Sequence, residues 1–222
     1  MNTRFSRILF DYDGTLILHD KENEGRQVAK LLGFAEWQTI EFEKRLRDYL
    51  ENHFVIHGKK ITRKAHYENL QMVFRPEEIG TTVKAIDEAI TENSIVSTKL
   101  VSGVKETLEY LATRGYQLCV FTNGFYNGQV ANMKHKGIYE YFEKIYTWDD
   151  FYPKPDERAY YRALAKTDPT QNIMIGDTLA TDIVPAKKLG IYTIGINLGT
   201  QDISVIKPDI IIKDLSELRQ IL

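Results

Sequence analysis

Tyr116-Gln117-Leu118-Cys119-Val120-Phe121-Thr122-Asn123-Gly124 reads as a buried strand that stops in a polar loop. Immediately upstream, Gly103 to Arg114 reads as a helix ended by Gly115, and immediately downstream, Tyr126 to Lys136 reads as a helix ended by Gly137. The alternation continues toward the C-terminus. Lys144-Ile145-Tyr146 is a short strand and Pro155 to Lys166 a helix with proline in its first turn. Asn172 to Ile175 is a strand, Asp182 to Leu189 a helix, and Ile191 to Ile196 a strand, with a last strand at Asp209 to Ile212 and a last helix at Ser216 to Leu222. Strand and helix in alternation imply right-handed crossovers and a parallel sheet covered on both faces. Toward the N-terminus, Ile8-Leu9-Phe10 is a further apolar run, stopped by Asp11 and Gly14. From about Asp20 to Asn93 the pattern is helical, with segments Glu36 to Asn52, Thr62 to Val73 and Glu77 to Ile90, the last with Pro76 at its start. A helical block is thus inserted after the first strand of an α/β domain.

Composition bounds what such a chain can do. It has 222 residues and a formal net charge of -2, with 43% hydrophobic and 27% charged residues. That is ordinary globular composition, long enough for a large core. The near-neutral balance lacks the basic face of a nucleic-acid binder. A single cysteine, Cys119, excludes an intrachain disulfide and a cysteine-rich zinc site; in a central strand it reads as a packed small hydrophobe. The N-terminus lacks a secretory pattern and no apolar stretch is long enough to span a bilayer, so the expectation is a soluble, cytoplasmic protein that acts on neither membrane nor nucleic acid polymer.

In an open parallel sheet, ligands bind beyond the carboxyl ends of the strands. There the sequence places Asp11, Asp13 and Thr15 after the first strand, Thr122-Asn123-Gly124 after the second, Lys154 in the loop after the third, and Asp177 and Asp182 after the fourth. Carboxylates gathered at one point repel and need a cation, and hard oxygen ligands favour Mg²⁺ completed by water and substrate phosphate. A lysine and a loop rich in backbone N–H suit a phosphoryl group. Of two acids spaced two apart, one can serve as nucleophile and the other as proton donor.

Asp11-Tyr12-Asp13-Gly14-Thr15-Leu16, Phe121-Thr122-Asn123-Gly124, Lys154-Pro155 and Gly176-Asp177-Thr178-Leu179-Ala180-Thr181-Asp182 together resemble the four motifs of the haloacid dehalogenase (HAD) superfamily of phosphohydrolases. The resemblance implies a Rossmann-like three-layer α/β/α core with a parallel sheet, residues 1–17 and 97–222, and an inserted helical cap, residues 18–96. It also implies roles. Asp11 would attack phosphorus, and Asp13 would protonate the leaving oxygen and then activate water. Asp11, the Asp13 backbone carbonyl and Asp177 would hold Mg²⁺. Thr122, Asn123 and Gly124 would bind phosphate oxygens, Lys154 would neutralise charge, and Asp182 would orient Lys154 or a metal-bound water while doubling as a helix N-cap candidate. Asp13 argues against dehalogenation, since halide needs no proton and the dehalogenases carry an aromatic residue at that place. The absence of a Gly-x-Ser-Arg stretch in the cap argues against a hexose phosphomutase.

Thr122-Asn123-Gly124-Phe125 with Gln129, Met133, Gly137-Ile138 and Tyr141-Phe142 is similar to the 5'-nucleotidase branch of the superfamily. The chain departs from it at Gly14 and at Trp148-Asp149-Asp150-Phe151. The resemblance implies a small phosphorylated metabolite as partner, a nucleoside 5'-monophosphate first, with sugar phosphate or phosphoglycolate as alternatives. A non-catalytic phosphate-binding protein on the same fold is the rival of another class. A monomer is the default, a homodimer the alternative. In the insertion, His53, His57, Lys59, Lys60, Arg63, Lys64 and His66 form a basic cluster that could greet an anionic substrate. His19 and Asp20, at the entry to the insertion, and Tyr126 are further candidates for substrate contact.

Overall fold

The computed structural model describes residues 5–20, 23–49, 62–149, 151–199, 201–202, 204 and 206–222. Among them, strands β1 (Arg7–Phe10), β4 (Gln117–Phe121), β5 (Lys144–Tyr146), β6 (Asn172–Gly176), β7 (Tyr192–Ile196) and β8 (Ile210–Ile212) form one sheet. Its order is β5-β4-β1-β6-β7-β8 and every pairing is parallel. β1 is central, so the strands either side of it, β4 and β6, carry the loops nearest its own.

Alternation along the strands sorts the core into two layers. Ile8 and Phe10, Leu118 and Val120, and Ile173 and Ile175 point to one face. There they meet Val104, Leu108 and Leu111 of helix α5 (Val104–Thr113), Met133 of α6 (Tyr126–Lys136) and Leu218 of α9 (Leu218–Ile221). Leu9, Cys119, Phe121 and Met174 point to the other, against Ala159, Tyr160, Ala163 and Leu164 of α7 (Glu157–Leu164) and Ala186 of α8 (Val184–Lys188). This is the three-layer α/β/α, Rossmann-like architecture. Cys119 is buried as expected, yet it is not merely apolar filling: buried Arg7 donates from Nε to its Sγ at 3.3 Å.

The segment between β1 and α5 leaves and returns through two short strands, β2 (Ile17–Leu18) and β3 (Lys99–Leu100), paired antiparallel. Between them lie α1 (Glu24–Leu31), α2 (Glu36–Asp48), α3 (Arg63–Phe74) and α4 (Val83–Ser97). These pack around a core of their own that includes Val28, Phe42, Leu70, Phe74 and Ile86, with the Phe42 and Phe74 rings stacked at 5.1 Å. α6 grips the end of α4: Asn132 Nδ2 donates to the Ser94 carbonyl at 2.9 Å, and Lys136 Nζ to the carbonyls of Ile95 and Thr98. No helix among the described residues is long and apolar enough to cross a membrane.

Three element boundaries differ from the sequence reading. The segment from Glu77 to Ile90 is not one helix. A 3₁₀ turn, Pro76–Ile79, ends at Gly80 with φ 69°, and Thr82 starts α4 afresh by accepting from the Ala85 amide. Pro155 stands outside α7, because Asp156 caps that helix by accepting from the Arg158 amide. Asp182 does not begin a regular helix. It lies in a wide π-type turn, Leu179–Ile183, that precedes α8.

Candidate active site

Asp11 is fixed at the end of β1 by its amide, which donates to the Ile175 carbonyl at 2.8 Å and prolongs the pairing with β6. Thr122 is fixed in the same way across the gap to β5, its amide donating to Tyr146 at 3.0 Å. The three central strands therefore deliver Asp11, Thr122 and Asp177 to one edge of the sheet.

Lys154 joins them from the β5 to α7 loop. Its ammonium donates to Asp11 Oδ1 at 2.7 Å and to Asp182 Oδ1 at 2.6 Å, with all three side chains at least nine-tenths buried. Asn123 holds this loop in place. Its Nδ2 donates to the Lys154 carbonyl at 2.9 Å, and its Oδ1 accepts from the Lys154 amide at 2.7 Å. Burial alone would depress the Lys154 ammonium, but Asp11 and Asp182 together hold it above its ordinary value. Burial pushes the Asp11 carboxyl well up, against the pull of Lys154. Burial and the neighbouring Asp182 likewise raise Asp177.

Carboxylate oxygens of Asp11, Asp177 and Asp182 lie within 4.8 Å of one another. Three carboxylates and one ammonium leave two negative charges, the charge of one divalent cation. The donor set is all oxygen, which suits Mg²⁺. Asp182 already accepts from Lys154 through Oδ1 and from the Thr178 amide through Oδ2 at 3.1 Å. It is thus engaged in holding Lys154 and the turn, rather than capping α8. Asp177 approaches the first loop so closely that a Cβ on Gly14 would lie 2.2 Å from its Oδ2, and Gly14 has φ +88°. Glycine is required there on both counts. Gln201 Nε2 donates to the Asp177 carbonyl at 2.7 Å and steadies that loop.

The Asp13 side chain turns away from this cluster. Its Oδ1 lies 2.7 Å from His19 Nε2, its Oδ2 accepts from Gln129 Nε2 at 3.0 Å, and Thr122 Oγ1 reaches it at 3.5 Å. Two neighbouring aspartates thus have separate surroundings: Asp11 faces an ammonium in a dry site, and Asp13 faces an imidazole and a carboxamide beside a cavity.

That cavity, about 1050 Å³, lies between the sheet edge and the helical block. All eight site residues named from the sequence line it: Asp11, Asp13, Thr122, Asn123, Gly124, Lys154, Asp177 and Asp182 form its floor. Its roof includes Arg63, His66, Tyr67 and Asp87, and its side wall Phe125 and Trp148, whose rings meet edge to face at 5.4 Å. His19 lines the cavity; Tyr126 does not, and the aromatic ring at that place is its neighbour Phe125. Of the basic cluster, His53, His57, Lys59 and Lys60 lie outside the described residues. Lys64 points to solvent near Glu68, leaving Arg63 and His66 at the cavity.

Sequence reasoning did not assign Gln129, Gln201 or Asp87 a place. Gln129 carried a signal only through its spacing from Thr122-Asn123-Gly124; Asp87, one acid on a charged helix, carried none.

The haloacid dehalogenase-like hydrolase family matches residues 8–196, and the chain belongs to it. It is accordingly an enzyme of the hydrolase class, and relatives similar to it in sequence include phosphatases. It is 25% identical over 224 residues to phosphoglycolate phosphatase of Vibrio vulnificus, covering 95% of this chain and 93% of that one. It is 33% identical over 141 residues to pyrophosphatase PpaX of Bacillus velezensis, an alignment that spans 61% of each chain. The fold is that of a HAD phosphatase from Thermococcus onnurineus, with a TM-score of 0.70, 23% identity, and 98% and 97% of the two chains covered.

Proposed function

We propose that this hydrolase is a Mg²⁺-dependent phosphomonoesterase that works through an aspartyl phosphate on Asp11. The observation that carries the reading is the buried Asp11–Lys154–Asp182 ion triad beside a separately held Asp13. Asp11 attacks phosphorus, and the bond from phosphorus to the leaving oxygen breaks as Asp13 gives that oxygen a proton. Asp13 then takes a proton from water, which attacks the same phosphorus, freeing inorganic phosphate and restoring Asp11. Asp11, Asp177 and the Asp13 backbone carbonyl would hold Mg²⁺, which when bound supplies positive charge against the carboxylates and the phosphoryl oxygens. Thr122, Asn123 and Gly124 bind phosphate oxygens, Lys154 adds charge, and Asp182 positions Lys154. The helical block, residues 18–96, acts as a cap over the remaining core, closing on substrate and excluding water.

A nucleoside 5'-monophosphate is the favoured substrate class within a cytoplasmic, monomeric setting. The size of the cavity and its Phe125–Trp148 wall support a leaving group larger than two carbons and with an apolar face. The names of several relatives favour a second reading, phosphoglycolate or a sugar phosphate. Phosphate release from a panel of these esters and a chromogenic aryl phosphate, with Mg²⁺ and with chelator, tests the activity. Metal-dependent release is expected; a folded protein silent on every ester would return the weight to a phosphate-binding protein.

A further inference from the structure

Arg63 and Lys154 are the permanent cations among the described residues that line the cavity, and both are engaged. Lys154 serves Asp11 and Asp182 on the floor. On the roof, Arg63 NH1 lies 3.4 Å from Asp87 Oδ2, and its guanidinium sits 4.2 Å from the Phe125 ring centroid. Asp87 also takes His66 Nε2 at 2.9 Å on Oδ1 and the Tyr67 hydroxyl at 3.2 Å on Oδ2. The His66 ring in turn packs 4.6 Å from Phe125. One carboxylate therefore gathers every basic side chain that α3 presents to the cavity. Burial acts to raise the Asp87 carboxyl, but the hydrogen bond from His66 and the charges of His66 and Arg63 hold it below the usual carboxylate range. It is an anion at neutral pH. Glu24, Glu88 and Glu92 add further carboxylates to the same upper cavity.

We propose that Asp87 masks Arg63 and His66 and so restricts the cavity to phosphate esters whose leaving group carries no second negative charge. A substrate bound by its phosphate at the floor presents its other end to this roof. A carboxylate or second phosphate there would meet acids and find its natural guanidinium partner already paired, whereas a hydroxyl-bearing, uncharged group meets only the cost of a polar wall. Selectivity here comes from a repulsive element rather than from an added contact. The inference rests on the phosphatase reading and deepens it, favouring a nucleoside monophosphate over phosphoglycolate.

Two esters that differ only in the carboxylate test it: phosphoglycolate and 2-hydroxyethyl phosphate, with the aryl phosphate as reference. The native enzyme should prefer 2-hydroxyethyl phosphate about tenfold or more in kcat/KM. Asp87→Asn should reduce that preference about tenfold, through a lower KM for phosphoglycolate, and adding Arg63→Gln to it should abolish the gain. Arg63→Gln alone should not narrow the preference and should widen it, because it leaves the Asp87 carboxylate facing the cavity without its guanidinium partner. The proposal is overturned if the native enzyme prefers phosphoglycolate. It is also overturned if Asp87→Asn lowers both esters alike, or if Arg63→Gln alone raises kcat/KM for phosphoglycolate relative to 2-hydroxyethyl phosphate. Should Asp87→Asn fail to fold, the native preference and the Arg63→Gln result still decide. Failure on all three esters, the aryl phosphate included, would sink the phosphatase reading itself; turnover with the wrong preference sinks only this inference.

Discussion

At the floor of the cavity, Lys154 reaches two carboxylates at 2.6 and 2.7 Å, with every partner buried. At the roof, Arg63 reaches Asp87 at 3.4 Å with its side chain 43% exposed. The floor is held by strand ends, whose positions the sheet pairing fixes, and by Asn123 and Gln201 clamping the loops between. The roof is held by side chains on two helices of a block with its own core. A dry, strand-borne site keeps reacting groups in one geometry, as transfer of a phosphoryl group requires. A helix-borne roof can change one residue without disturbing that geometry, which is where substrate choice can vary.

If the comparison holds, substitutions at the floor should abolish chemistry or fold, and those at the roof should redistribute substrates. Asp11→Asn should cost turnover on the order of 10⁴- to 10⁶-fold while the protein stays folded, checked by steady-state phosphate release alongside circular dichroism. Lys154→Met leaves Asp11 and Asp182 buried without their cation. In metal-free buffer it should lower stability by about 3–5 kcal/mol in urea unfolding. Gly14→Ala puts a Cβ against Asp177 and strains a positive φ. It should weaken apparent Mg²⁺ affinity by about 10- to 100-fold in a metal titration of activity. A loss no larger than a surface alanine causes would break the picture of a tightly determined floor.

The smallest expected effect belongs to the roof. The folded Asp87 carboxyl lies below its unfolded value of 3.8. Its stabilising contribution is therefore complete above that value and is lost as pH falls through the lower folded one. Urea midpoints followed from pH 5 downward should fall less steeply for Asp87→Asn than for the native chain. Identical slopes would mean that the Arg63 and His66 pairing contributes nothing measurable.

The same division governs what could be read from sequence. Apolar runs ending in polar residues placed Asp11, Thr122 and Asp177 at one edge because a parallel sheet leaves its strand ends no other course. Lys154 was legible by its loop. Gln129 and Asn123's clamp on Lys154 were not, since an amide in a helix or loop has no period that reveals its partner. The helical insertion was legible as helical, but its break at Gly80 and Thr82 was hidden inside a continuous amphipathic pattern. Asp87 looks like any surface acid until α3 and α4 are packed together.

In the proposed reaction, phosphorus passes through a covalent bond to Asp11. Asp13→Asn should slow hydrolysis of that intermediate while still allowing its formation from an aryl phosphate, whose leaving group needs little protonation. Acid-quenched Asp13→Asn enzyme, turned over with Mg²⁺ and an aryl phosphate and mapped by peptide mass spectrometry, should carry one phosphoryl group on the peptide containing Asp11. The double variant with Asp11→Asn should carry none. Turnover without phosphoryl enzyme, or phosphoryl found on another residue, would contradict the account.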